Sequence, residues 1–381
     1  MISLKNRPPT LVLSGMPAWF AVKNTGKSKK VKATIKDGAL TIASQYAYAS
    51  IDNTAHFELS EYFGYVVKPE YMFFMETETL VSSPGGSILK NITVTFEDDY
   101  QSSIETQISV LFGELSPDVI SAINYGSGSA SSIWAYLSMN PVLSLKPAHV
   151  NVYYKTQPER LFLLFTSASA PIDIYLDIIY WNGLLNTTLV ESFTPDPLKI
   201  YVIRTSYSAI CQPNILPEKD GIPVSQYRVR LMCDGMPLCN TFFYNVRFNQ
   251  NPQGCFMFIN SLGGFDTFCP TGLMSVNHSF TAKHKRVVTA PGTPQPIYRI
   301  SDRKATEVIT QSTGHVSREQ INWLSQMIFS PKAFWVPKNG SRQPISFLDN
   351  KLEVKSTSSQ LFAANIKYII NPEIAPETIV Q

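Results

Sequence analysis

The sequence predicts a mainly β protein, with tandem antiparallel β-sandwich domains followed by a small α+β C-terminal unit. Three observations carry this. Asx-Gly pairs stand between strand-like runs at Asp37-Gly38, Asn182-Gly183, Asp234-Gly235 and Asn339-Gly340, and such pairs readily take the positive φ angles of tight hairpin turns. Tyr227, Val229, Leu231 and Cys233 alternate with Arg228, Arg230 and Met232, a period of two that gives one buried and one wet face. Helical patterns are short and few.

Taken in order, residues 1–112 form an N-terminal β domain, with KATIKDGALTIA as a hairpin and TQISVLF as the last strand. Residues 113–148 are a Gly/Ser-rich connection with short helices. Ser116 caps SPDVISAI there, with Pro117 at the favoured first helical position. Residues 149–290 make a central β-sandwich holding the hairpins YLDIIYWNGLLNTTLVESF and YRVRLMCDGMPLCNTFFYNVRF. The first is predicted to turn through a two-residue type I′ loop at Asn182-Gly183. APGTPQP, from Ala290, is a linker into the C-terminal unit of residues 291–381. That unit carries the clearest helix, in GHVSREQINWLSQMIFSP. Ser317 and Gln320 form its capping box, Ile321, Leu324, Met327 and Ile328 its apolar face, and Pro331 closes it.

Composition narrows the class. Of 381 residues only 16% are charged, against about 25% in an average soluble domain. Such a surface is either covered by partners or built from uncharged polar residues. The net charge of +3 is too small to argue for nucleic acid. The lysine-rich stretch KNTGKSKKVKATIK, Lys23 to Lys36, lacks interleaved aromatics or arginines and reads as a guarded hairpin edge. No transmembrane segment and no signal peptide are expected, since MISLKNRPPT has no apolar core. The five cysteines, Cys211, Cys233, Cys239, Cys255 and Cys269, are an odd set and are expected to be reduced thiols. Without a Cys-x2-Cys pair, a zinc site is not expected.

The search for chemistry centres on FMFINSLGGFDTF, Phe256 to Phe268. Glycines after a strand can cradle a phosphate, but no lysine and no helix follow Gly263-Gly264, so neither a P-loop nor a dinucleotide motif fits. The expectation is a tight structural turn. Gly263 and Gly264 supply unusual backbone angles, and Asn260 or Asp266 bonds turn amides through its side chain. Ser87-x-x-Lys90 matches a nucleophile pattern but follows the turn Pro84-Gly85-Gly86 and lacks its partner motifs. The histidines His56, His149, His278, His284 and His315 form no metal-binding pattern. Asp98-Asp99 reads as a loop end, and KHKR, Lys283 to Arg286, as a solvated edge. No catalytic residue, metal site or cofactor is nominated. Trp134 (near Tyr136) and Trp181 (beside Tyr180) are candidate glycan-stacking residues, although aromatics in a β-sandwich are more often core.

Four stretches in order carry a resemblance. They are SGMP with HFELSEYF, then FGELSP leading to LSMNPVLSLKPAHVNVYYKTQPERLFLLF, then FMFINSLGGFDTF, then TQSTGHVSREQINWLSQMIFSPKAFWV. Together they resemble virion and tail proteins, of baseplate type, from phages and prophages of Bacteroidetes-type bacteria. This sequence has Met16 where that pattern has Asn, and a single Gly113 where a pair is commoner. The resemblance implies a structural subunit without catalytic residues. It implies assembly with other virion proteins and a homo-oligomeric ring or hub, in a particle made in the host cytoplasm. Rival expectations are a receptor-binding protein holding host surface glycans, a subunit of a phage-like contractile injection device and, last, a glycan hydrolase, which needs two opposed carboxylates.

Overall fold

The computed structural model describes the chain apart from residues 27–28, 69–78, 84–87, 116–132, 168–169, 211–221, 251, 288–296, 350–352, 357–361 and 371–381. The expected Ser116-capped helix, the Ser87 motif, Cys211 and the APGTPQP linker fall outside the described residues. The chain forms two compact units, Met1–Asn249 with Ile259–Asp266, and Gln250–Phe258 with Thr267–Gln381.

The larger unit contains the tandem β-sandwiches. In the first, a five-stranded sheet runs Leu11–Leu13, Ser103–Leu111, Leu89–Asp98, Lys30–Asp37, Leu40–Tyr48, and a three-stranded sheet runs Ile2–Asn6, Trp19–Asn24, Thr54–Glu58. Phe20, Phe57 and Phe96 meet at the centre, with ring centroids 5.3 Å apart in both the Phe20–Phe96 and Phe57–Phe96 pairs. The second sandwich has a main sheet ordered His149–Val152, Phe242–Val246, Val224–Cys233, Ile172–Tyr180, Leu185–Phe193. Arg160–Leu164, Ile200–Arg204 and Val81–Ser82 form a second sheet that shares its core. The alternation from Tyr227 is realised, with Tyr227, Val229 and Leu231 buried and Arg228, Arg230 and Met232 half-exposed.

Among the described residues two ladders are parallel, Leu11–Leu13 on Ser109–Leu111 and His149–Val152 on Phe243–Val246. Turn residues mark antiparallel neighbours only, because a parallel pair needs a long crossover.

The Asx-Gly hairpins do not all turn in the same way. At Asp234-Gly235 both residues have positive φ, 50° and 77°, between the paired Cys233 and Met236, which is the type I′ turn. At Asn182-Gly183 only the glycine does, at 81°, so the expected type I′ turn is corrected. The Tyr180 carbonyl accepts from Gly183 N at 2.9 Å, and Tyr180 N donates to Leu184 O at 3.0 Å. That is a three-residue loop with a left-handed glycine. Asn182 Oδ1 accepts from Leu184 N at 3.0 Å, and this local bond holds the asparagine in place. Asn339-Gly340 repeats the device, with Gly340 N donating to Pro337 O and Ser341 N to Asn339 Oδ1.

The smaller unit is α+β. Its sheet passes from the hairpin Gly254–Ile259/Phe265–Phe268 through Ala333–Pro337, Gln343–Phe347 and Phe362–Ile370 to Ile297–Ser312 and Met274–Val287. The helix Arg318–Ile328 has the expected capping box. Gln320 N donates to Ser317 Oγ, and Ser317 N to Gln320 Oε1. Leu324 and Met327 are buried with Trp323 in this unit's core, while Ile321 and Ile328 pack at its margin. The expected boundary near residue 290 falls between the two strands of one hairpin, Met274–Val287 and Ile297–Ser312.

Cys255 and Cys269 belong to this smaller unit and form a disulfide, which corrects the expectation that all five thiols are reduced. They face each other across the neighbouring strands of one hairpin, with Cα atoms 4.1 Å apart. That pairing depends on strand register and cannot be read from cysteine spacing. Cys233 and Cys239 are free thiols, and burial pushes the Cys239 thiol up to about 12.

Candidate functional site

Residues from four distant parts of the sequence converge in the larger unit around Asn260–Asp266. Asn260 is buried and organises the loop. Its N–H donates to Gly264 O, and its carbonyl accepts from Gly263 N. Its Oδ1 accepts from Leu262 N at 3.0 Å and Gly264 N at 3.2 Å, while its Nδ2 donates to Leu143 O at 2.8 Å. The turn amides that would grip a phosphate are therefore occupied by the protein's own side chain. A phosphate cradle needs such amides free, so this is a structural joint.

The two glycines have different reasons. Gly263 has φ +82°, and a Cβ there would fall on the Phe112 carbonyl. Gly264 lies outside the positive-φ set, which corrects the expectation that both have unusual angles. It is needed for space, since a Cβ on it would fall on the Leu143 carbonyl. Across the joint, Gly113 has φ +155°, and its Cβ would lie 2.6 Å from Ser261 O. Gly15 N donates to Gly113 O at 2.9 Å, and Gly113 N to Ser14 Oγ at 3.3 Å. SGMP, FGEL, NPVLS and NSLGGFD, far apart in sequence, thus meet through close backbone contacts.

From this joint a polar chain runs into the second sandwich. Asp266 accepts from Ser144 Oγ at 2.7 Å, and Ser144 Oγ accepts from Lys146 N at 3.0 Å. Lys146 Nζ pairs with Glu159 Oε2, and both side chains are nearly excluded from solvent, at 6% and 1% exposure. Glu159 Oε1 accepts from Gln157 Nε2 at 2.8 Å, and its backbone carbonyl from Thr205 N. Tyr227 OH donates to Thr205 O and Tyr244 OH to Thr205 Oγ1. Burial first, then the Glu159 charge, pushes the Tyr244 and Tyr154 phenols far above their usual range, so both stay neutral. Every member has a partner, as a buried network requires. No sequence pattern marked Lys146 or Glu159, since their pairing exists only in the fold.

The outer face of the second sandwich's main sheet carries a cross-strand ladder of Asp177, Arg228, Phe243 and His149, in register. Arg230 binds Asp177 with two bonds of 2.8 Å, and Arg228 lies over the Phe243 ring. Burial pushes the Asp177 carboxyl up. Hydrogen bonds from Arg230 and Thr187 and the charges of Arg230 and Arg228 outweigh this, holding it below its usual range. The unfolded chain therefore binds the extra proton first as pH falls. The stabilisation is present above about pH 4 and lost as pH drops through the lower folded value. Urea unfolding of the wild type is expected to lose more stability between pH 5 and pH 3 than Asp177→Asn does; equal losses would exclude this ladder as a source.

The glycan candidates lie on separate elements. Trp134 is half-buried in the helix Ile133–Met139, and Trp181 is 65% exposed at the Asn182-Gly183 hairpin tip. Tyr180 beside it is core. Ser317 and Gln320 serve only their helix. Asp98 Oδ1 accepts from Tyr100 N and Ser102 N, the loop end expected of it. His315 precedes the Arg318–Ile328 helix. One small apolar pocket, lined by Leu80, Ile174, Leu176, Val190 and Val229 among others, has no convergent acid or base pair. Among the described residues no group of acids, histidines and cysteines is arranged to hold a metal, and no helix is long and apolar enough to cross a membrane.

No protein-family model and no curated protein matches the sequence. Among solved structures, the chain is similar to a protein of the tail of an empty GTA particle with C6 symmetry, at 12% identity and TM-score 0.21, covering 31% of this chain and 91% of that one. It is similar to fibronectin(III)-like modules of Clostridium thermocellum CbhA, at 11% identity and TM-score 0.17, covering 65% and 93%. A tetra-tandem repeat from the extending region of a large adhesion protein matches at 8% identity and TM-score 0.21, covering 96% and 80%. Likenesses this distant carry no argument about the chain.

Proposed function

We propose that this chain is a structural subunit of a phage tail or baseplate, assembling with its own copies and with other tail proteins into a ring or hub. The observation that carries this is the state of two sheet edges. Leu40–Tyr48 and Leu185–Phe193 are nine-residue outer strands of their sheets, and between them they contain one charged residue, Glu191. Leu40, Tyr46, Tyr48, Leu185 and Leu189 are all exposed along them. Long edges with apolar side chains and little charge invite pairing and are normally guarded. A subunit that works inside an assembly covers them instead. The low overall charge, the resemblance in the four motifs and the absence of a recognised catalytic signature support the same reading. It needs no cofactor and acts through surfaces rather than chemistry. A buried disulfide suits a protein that works outside a reducing cytoplasm.

Native mass spectrometry of gently disassembled particles from the source tests it. A fixed multimer bound to other tail proteins is expected; a free monomer absent from particles would overturn it. The same particles distinguish a phage from a contractile injection device, by the presence or absence of packaged DNA. A receptor-binding role has one specific observation in its favour, the exposed Trp181 at a hairpin tip beside Leu184 and Leu185. A glycan array showing no signal with folded protein, or a signal unchanged by Trp181→Ala, would remove it.

A further inference from the structure

The chain's charge is segregated. The hairpin Met274–Val287/Ile297–Ser312 is paired from Met274 opposite Gln311 to Val287 opposite Ile297. On its other side, among the described residues, Ile297–Ser312 pairs at Ile309–Ser312 with Asn365–Tyr368. Among the described residues the rest is a ribbon of two strands, a form that is marginal in water without something laid against it. The two strands contain six cations, Lys283, Lys285, Arg286, Arg299, Arg303 and Lys304, against Asp302 and Glu307, a net +4. The whole chain is only +3, so everything else sums to −1. Register sets Lys285 directly opposite Arg299 and Lys283 opposite Asp302.

The opposite charge is concentrated elsewhere in the chain. Residues 37–145 hold thirteen acids against Lys68 and Lys90. At the end of the hairpin Leu89–Asp98/Ser103–Leu111, Glu97, Asp99 and Glu105 are exposed, and Thr95 opposite Glu105 puts Glu105 diagonal to Glu97. Lys32, across from Glu97 on the neighbouring strand, offsets part of this charge.

We propose that the basic ribbon of one copy docks on the acidic hairpin end of a second copy, a head-to-tail contact of two different patches. Such a contact closes into a ring or runs on as a filament. The inference rests on the assembly reading above and names one of its interfaces.

A charge swap tests it. The wild type, Lys283→Glu/Lys285→Glu, Glu97→Lys/Glu105→Lys and the combined four-fold variant are compared by sedimentation at low salt, with thermal melts confirming that each is folded. Each reversed pair is expected to weaken self-association roughly 10- to 100-fold, and the combined variant to restore it. Undiminished assembly of the ribbon variant overturns the inference and leaves the structural-subunit reading standing. Loss in the ribbon variant alone, without rescue, also overturns it and moves the ribbon's partner elsewhere. A wild type that stays monomeric at every concentration, and is absent from particles, removes both. A monomer whose ribbon variant loses binding to a short DNA duplex assigns the ribbon to nucleic acid and overturns the proposal.

Discussion

Gly263→Val is expected to destabilise the larger unit by about 2–5 kcal/mol. The left-handed backbone there costs a residue with a Cβ about 1–2 kcal/mol, and forcing atoms into a packed site adds about 1–3 kcal/mol. Both penalties apply at φ +82° with the Phe112 carbonyl in the way. Gly264→Val meets only the second, against Leu143, so it is expected to cost less. Chemical denaturation of the two variants checks the order. If Gly263→Val unfolds at the wild-type midpoint, the joint is not under the constraint described. Gly183, equally left-handed but with nothing near its Cβ position, is the control. Gly183→Ala there should show the backbone cost alone.

Lys146→Met is expected to be at least as damaging, at about 3–5 kcal/mol, because it leaves the Glu159 carboxylate buried with no cation. Glu159→Gln leaves the Lys146 ammonium buried without its carboxylate and is expected to cost a comparable amount, offset in part by the amide's hydrogen bond with Gln157. The telling comparison is the double variant Lys146→Met/Glu159→Leu. Removing both charges recovers much of the loss, since a buried pair and an apolar pair of similar volume are nearly equivalent. Urea midpoints of the three variants measure this. A Lys146→Met protein as stable as the wild type would show that the carboxylate finds water or another partner. The pair also fixes how the 141–146 segment lies beside Arg160–Leu164, where Leu143 N donates to Phe162 O and Leu164 N to Pro141 O.

Local chemistry was legible wherever it depended on neighbours in sequence. The four Asx-Gly turns, the alternation from Tyr227 and the Ser317–Gln320 cap are set by φ preference, period and short-range hydrogen bonds, and each is present. Even the error at Asn182 is local: Asn-Gly can turn in two ways, and the side-chain bond to Leu184 N selects the three-residue form. The loop at Gly263 was recognisable as a bend from its missing lysine and helix. The reason for Gly264 was not, because the Leu143 carbonyl it accommodates lies 117 positions from Asn260, the residue that holds it.

The sequence by itself determined the class of the protein, the places where its strands reverse, the capping box of the Arg318–Ile328 helix and the lack of a recognisable catalytic motif. Those properties follow from backbone preference and periodicity, which act over a few residues. Only the tertiary structure decided that SGMP, FGEL, NPVLS and NSLGGFD share one joint and that Lys146 finds Glu159. It also decided that Cys255 lies against Cys269, and that Met274–Val287 and Ile297–Ser312 are one ribbon rather than strands on either side of a linker. Each of these depends on strand order and register. The burial of whole sheet faces fixes them, and no short stretch of sequence contains that information.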